Sequence, residues 1–264
     1  MSNNLRLVTL SLDIDAGDKE SNLNRLETAM SEIGRDADVI VLPELFSTGF
    51  TSNGERLHDM AETNGGDTIA RLHQLAERHN VAIAGSFLAK TASHIYNRAF
   101  FIEPSGDAAF YDKRHLFSMS SESSLLTQGE STIPVVRFRG WNIAVAVCYD
   151  LRFPVWCRNA GLRYDLLLVV ANWPQSREYA WRHLLIARAI ENQAYVVGVD
   201  RSGEDKFGVY DGMTMTVDFT GKVLGMTPIG STGHIDRVTL SGDALGRWRD
   251  DFTAWKDADS FEYR

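Results

Sequence analysis

Short apolar runs alternate with stretches of helical period along most of the chain. Leu5 to Leu12 reads as a first strand. Leu23, Leu26, Met30 and Ile33 recur at helical spacing and predict a core-facing helix that ends near Gly34. Val39 to Leu42 is a buried strand stopped by Pro43, and Ile69, Leu72, Leu75 and Ala76 give one apolar face to a helix over 67–79. Val81 to Phe87, Ile95 to Ile102 and Ala108 to Tyr111 follow as strands, with turn residues at Pro104-Ser105-Gly106-Asp107. The polar stretch from Lys113 to Ser131 breaks the rhythm and is too long for a simple hairpin loop.

The earlier order then returns. Strands are expected at 133–138, 142–148, 166–170 and 195–199, and helices at about 153–161 and 178–193. A hairpin around Thr220-Gly221 joins 213–219 to 222–226, and 234–240 is the last strand before a short helix and a Trp-bearing tail. Strands alternating with helices and then hairpins describe a mixed α/β protein. Each half offers a helix layer and a sheet, so two halves packed sheet to sheet make a four-layer α-β-β-α sandwich. No linker divides the sequence, which reads as one domain over 1–264, with a core of about 5–240 and a C-terminal tail at 241–264.

Composition removes several classes of function. At 264 residues the chain can bury about three quarters of its unfolded surface without staples. With 27 Lys and Arg against 35 Asp and Glu, its net charge of −8 argues against nucleic acid and anionic membranes as partners. No apolar run approaches the roughly 18 residues of a membrane span, and Met1 to Arg6 lacks the layout of a secretion signal. Two cysteines give neither a disulfide framework nor a four-thiolate zinc site, so a cytoplasmic protein without a metal is expected.

The candidate chemistry lies at strand ends. Cys148 closes the apolar run Ile143 to Val147 and precedes Tyr149-Asp150-Leu151-Arg152-Phe153-Pro154. A strand that turns into a helix there sets the sulfur at the mouth of the sheet and aims backbone N–H groups at it, which lowers a thiol pKa and suits an oxyanion. Position alone leaves a small buried hydrophobe equally open, and that reading suits Cys157, which falls inside the expected helix. None of the seven histidines sits in a recognisable motif. Glu44 follows Val41-Leu42-Pro43 at the sheet edge where open α/β folds place their sites, and its charge there calls for a cation. Lys113 stands where a strand gives way to the polar loop.

Leu42-Pro43-Glu44, Asp112-Lys113-Arg114-His115-Leu116-Phe117 and Cys148 to Pro154, in that order, resemble the nitrilase (carbon–nitrogen hydrolase) superfamily and its Glu-Lys-Cys triad. Ala171-Asn172-Trp173-Pro174 and Ala187 to Tyr195 extend the resemblance over about 5–240. Thr48-Gly49-Phe50 and Tyr149-Asp150 look most like the omega-amidase branch, which hydrolyses 2-oxoglutaramate and related omega-amides. Leu45, where relatives often carry Met, and Ser123, where some carry His, depart from the pattern and bear on specificity.

The resemblance implies the α-β-β-α sandwich, a homodimer or higher homo-oligomer, no cofactor and a small-molecule amide substrate. It also implies Cys148 as nucleophile, Glu44 as base, Lys113 and the Tyr149 N–H as oxyanion donors, and Glu122 as a second carboxylate. Tyr149, Phe117, Arg152 and Trp173 are the candidate substrate contacts, although Arg152 reads more readily as a brace for Asp150 or another buried acid. Arg188, Glu191 and Asn192 share a helical face and read as a structural network. Asp13 and Asp15, lacking a third ligand, read as a turn. The same triad would also serve an N-carbamoyl amino acid or a nitrile, and an interaction scaffold without catalysis is the alternative of another class.

Overall fold

In the computed structural model, which describes residues 3–227 and 233–260, two six-stranded sheets carry the molecule. Their strands are β1 (Asn4–Ser11), β2 (Val39–Val41), β3 (Ala82–Lys90), β4 (Ile95–Ile102), β5 (Ala108–Asp112), β6 (Val135–Phe138), β7 (Trp141–Val147), β8 (Leu166–Ala171) and β9 (Tyr195–Asp200), then, after a separate hairpin of β10 (Ser202–Asp205) and β11 (Gly208–Asp211), β12 (Met215–Val217), β13 (Val223–Met226) and β14 (His234–Ser241). The helices are α1 (Lys19–Ile33), α2 (Gly54–Met60), α3 (Asp67–His79), α4 (Glu122–Leu125), α5 (Glu178–Asn192) and α6 (Gly242–Asp251).

The sheets share one plan. One runs β14-β1-β2-β3-β4-β5 and the other β13-β12-β9-β8-β7-β6, each with three parallel strands at its centre and antiparallel strands outside them. Strand alternation builds the layers. Val39 and Val41 pack into the core shared with the second sheet, whereas Ile40 and Leu42 join Leu23, Leu26 and Met30 of α1 and Leu72 and Leu75 of α3. On the far side Trp181 and Leu185 of α5 press onto β9 at Gly198, where any Cβ would overlap both side chains. This is the four-layer α-β-β-α sandwich expected from the sequence.

Two local expectations need correction, and two elements went unread. The helix expected at 153–161 does not form. The chain makes 3-10 turns at Cys148–Arg152 and Ala160–Leu162, and Gly161 and Leu162 leave helical geometry with φ of 64° and 55°. Tertiary partners take the backbone groups a helix would use: the Cys157 carbonyl accepts from Tyr164 Oη at 2.6 Å, and Asn192 Oδ1 accepts from the Asn159 N–H at 2.9 Å. Cys157 is buried as expected, but in a turn between those two segments and not in a helix. The hairpin β10–β11 and helix α2 carry weak apolar patterns, Leu57 being the only buried side chain of α2, and sequence periodicity passes over both.

Candidate active site

Cys148 follows the last residue of β7, in the parallel centre of its sheet. Its φ of +45° lies in the left-handed region, a conformation that costs a non-glycine residue about 1 kcal/mol or more and needs support. Asp150 supplies it. This fully buried carboxylate accepts from the Val147 N–H at 3.3 Å, Tyr111 Oη at 2.9 Å and the His115 N–H at 3.0 Å, and it pairs with His115 Nδ1 at 2.8 Å. His115 in turn stacks on Phe153, its ring centroid 3.7 Å away. The turn bearing the sulfur is thus fastened to the start of the polar loop.

Glu44 and Lys113 come from the other sheet. Glu44 lies beyond β2 at 4% exposure and Lys113 directly after β5 at 2%. Glu44 Oε1 accepts from Lys113 Nζ at 2.9 Å and from Asn97 Nδ2 at 2.7 Å, while its Oε2 accepts from the Asn172 N–H at 2.8 Å. Lys113 Nζ also donates to Glu122 Oε1 at 2.7 Å, and Glu122 Oε2 accepts from the Phe117 N–H at 2.7 Å. Glu122 opens the short helix α4 inside the polar loop. That loop is closed at its base, where the Gly129 N–H donates to the Lys113 carbonyl at 2.9 Å, and a Cβ on Gly129 would overlap the Asp112 carbonyl.

Two buried carboxylates, one buried ammonium and one half-buried thiol therefore share a site. Burial opposes the Lys113 charge, but Glu122 and Glu44 outweigh it and hold its pKa well above the usual lysine value. For Cys148 burial and the Glu44 charge push the thiol well above its usual range, and Lys113 offsets only part of this. The expectation that backbone N–H groups lower this thiol is thus corrected, because desolvation and the facing carboxylates prevail. A thiol held above its ordinary range beside a carboxylate can act as a nucleophile if its proton is taken up as it attacks.

A cavity of about 300 Å³ opens onto Cys148, Glu44, Lys113 and Glu122. Tyr149, Phe117, Arg152 and Trp173 all line it, as the sequence suggested. Phe117 and Tyr149 meet edge to face, their ring centroids 5.1 Å apart. Arg152 does not brace Asp150; its guanidinium lies over the Trp173 ring, 4.8 Å from the centroid. Sequence reasoning missed Asn97, which carried no motif signal, and Arg177, which lines the cavity with its guanidinium 5.0 Å over Phe117. It also missed the β10–β11 hairpin, which brings Asp205, Phe207 and Tyr210 to the cavity wall.

Other flagged residues have structural partners. Arg114 donates to the Gly129 carbonyl at 3.0 Å, and Arg188 bonds Glu191 Oε1 at 2.9 Å and the Leu151 carbonyl at 2.7 Å. Asp15 accepts from Ser21 Oγ at 2.6 Å and pairs with Arg25, and Asp13 bridges to Ser202. Among the described residues no helix is long and apolar enough to cross a membrane.

Residues 6–249 match the model of the carbon–nitrogen hydrolase family. The chain belongs to that family. This carbon–nitrogen hydrolase is 41% identical to the omega-amidase YafV of Escherichia coli K12 over 97% of its own length and 98% of the relative's. It is 33% identical to the 2-oxoglutaramate amidase of Bacillus subtilis over 81% of this chain and 83% of that one. With amidases of this identity and coverage among its relatives, it is an amide-hydrolysing enzyme. A Xanthomonas campestris protein of the same superfamily, solved with an arsenic adduct in its active site, superposes with a TM-score of 0.92 at 35% identity over 99% of both chains. Saccharomyces cerevisiae Nit3 shares the fold at a TM-score of 0.82 and 22% identity, over 94% of both chains.

Proposed function

We propose that this carbon–nitrogen hydrolase is a cysteine-dependent omega-amidase that cleaves a small monoamide of a dicarboxylate, 2-oxoglutaramate or a close analogue, to the acid and ammonia. The reading rests above all on the Glu44–Lys113–Glu122 chain of 2.9 and 2.7 Å contacts at the Cys148 end of the cavity. The relatives' names support the substrate class.

Cys148 Sγ attacks the amide carbon as Glu44 takes its proton, forming a C–S bond and a tetrahedral oxyanion. Lys113 Nζ and the Tyr149 N–H hold the oxyanion; losing one such donor typically costs about two to three decades in rate. Glu44 passes the proton to nitrogen as the C–N bond breaks, and ammonia leaves a thioester. Water deprotonated by Glu44 then attacks the thioester, and the thiol recovers its proton as the acid departs. Glu122 holds the Lys113 ammonium in place. With no titrating histidine in the scheme, the whole cycle turns on one carboxylate acting alternately as base and acid.

The test is ammonia release from 2-oxoglutaramate, beside succinamate, glutamine and a simple nitrile, with Cys148→Ala as blank. Turnover of the first two that vanishes in the variant is the expected result. Turnover of the nitrile or glutamine alone discards the substrate, and activity surviving in Cys148→Ala discards the mechanism. A homodimeric assembly, resting on the family resemblance, accompanies the proposal, with one domain spanning the chain and a cytoplasmic site resting on the lack of a linker and on cysteine usage. Light scattering that finds only monomer at micromolar concentration removes the dimer.

A further inference from the structure

Three cationic side chains line the cavity, and they fall into two kinds. Lys113 is consumed by Glu44 and Glu122. Arg152 and Arg177 have no carboxylate within ion-pair distance among the described residues, and each lies over an aromatic face instead. The carboxylates on the cavity wall are all engaged. Besides Glu44 and Glu122 there is Asp205, whose Oδ2 accepts from buried Arg201 at 2.9 Å and whose Oδ1 accepts from the Phe207 N–H at 2.8 Å. In a chain of net charge −8, two uncommitted guanidiniums facing one small cavity are a local anion trap.

The aromatic residues under these cations are tied to the reacting groups. Phe117 bonds Glu122 through its N–H, and Asn172, next to Trp173, bonds Glu44 through its own. Trp173 Nε1 also donates to the Arg177 carbonyl at 2.9 Å, while the Arg177 N–H donates to the Pro174 carbonyl at 2.9 Å. The backbone of Arg177 is therefore fixed relative to the cluster, with its exposed side chain left to close on a ligand.

We propose that Arg177, with Arg152, reads the free carboxylate of the substrate in the cavity that also holds Cys148, so that the amide is left to the sulfur. This deepens the omega-amidase reading and rests on it. The two carboxylates around Lys113 repel a substrate carboxylate and the guanidiniums attract it, so one charge pattern sets both affinity and orientation. An α-ammonium group meets no free carboxylate, since Asp205 is already paired, which disfavours amino-acid amides relative to oxo-acid or unsubstituted ones.

The experiment compares kcat/KM for succinamate with that for butyramide, its uncharged counterpart of similar length. The wild-type enzyme is expected to prefer succinamate. In Arg177→Gln the succinamate-to-butyramide ratio is expected to fall about 10- to 100-fold, chiefly through KM for succinamate, with partial recovery in Arg177→Lys and a smaller fall in Arg152→Gln. Because Arg177 is exposed, residual butyramide turnover reports a folded site. A wild-type preference for succinamate that persists in Arg177→Gln overturns the assignment to Arg177 and leaves the omega-amidase reading standing. A wild-type enzyme that prefers butyramide overturns both, as does one that turns over neither compound nor 2-oxoglutaramate; one that turns over 2-oxoglutaramate alone overturns the carboxylate assignment unless Arg177→Gln raises KM for it.

Discussion

Glu44 and Lys113, 69 residues apart in sequence and carried by different strands of one sheet, meet at 2.9 Å with almost no exposure to solvent. Neither charge would tolerate that burial alone. The pair, completed by Glu122, is a preformed electrostatic element whose parts depend on one another.

Lys113→Met is accordingly expected to do two kinds of damage. Loss of the ammonium leaves Glu44 and Glu122 buried without their shared partner, which costs about 3–5 kcal/mol of stability. Urea unfolding checks that figure. Amide turnover is expected to fall at least about 100-fold as the oxyanion donor disappears. A variant as stable as the wild type would show that the network does not carry the structural weight given to it.

The raised thiol makes a prediction about chemical reactivity. Because burial and Glu44 disfavour the Cys148 thiolate, inactivation by iodoacetamide without substrate is expected to be slow at pH 7 and to keep climbing with pH, with no plateau below about pH 8.5, the ordinary thiol value. A plateau near pH 6 would mean a resting thiolate and would remove the need for Glu44 as base.

Gly129→Ala tests the loop without touching any group in the cavity. Its Cβ would overlap the Asp112 carbonyl next to Lys113, so the base of the loop must open. Such overpacking typically costs about 1–3 kcal/mol. The expected outcome is a lower melting temperature together with reduced kcat, since Lys113 and Glu122 lie at the base and within the span of that loop. Full activity at wild-type stability would show that the loop ends are free to shift.

Asp200 supplies a stability prediction with a definite sign. Burial pushes its carboxyl well above the usual value, although it accepts from the Trp173 N–H at 2.7 Å. In the unfolded chain an aspartate ionises near about pH 4. Above that, the unfolded state sheds a proton the folded state retains, so this group's contribution weakens stability as pH rises toward the folded pKa. Asp200→Asn keeps an acceptor and removes the titration. Relative to wild type, the variant is expected to gain stability between pH 4 and pH 7, and thermal unfolding at both values checks it. A variant that falls further behind at pH 7 would show that Asp200 is held ionised.

Much of this molecule is legible in its sequence. The alternation in Val39 to Leu42, the helical spacing of Leu23 to Ile33 and the apolar run before Cys148 locate strands and helices, because a side chain's period states which face it buries. The three motif words mark Glu44, Lys113 and Cys148 as strand-end residues, and the structure gathers all three at one end of the sandwich. What periodicity cannot convey is which side chains satisfy one another. Phe153 to Gly161 has helical spacing, yet Tyr164 and Asn192 claim its backbone groups from elsewhere in the chain. Asp150 sits in a motif, but only tertiary contact joins it to Tyr111 and His115, freeing Arg152 to lie over Trp173. Arg177 has no local signal at all. The sequence alone determines the layers, the strand ends and the types of reactive group, since these follow from local period and residue chemistry. The pairing of charges, the raised thiol and the free guanidiniums depend on the tertiary structure, because burial and Coulomb interaction are set by distance in space and not along the chain.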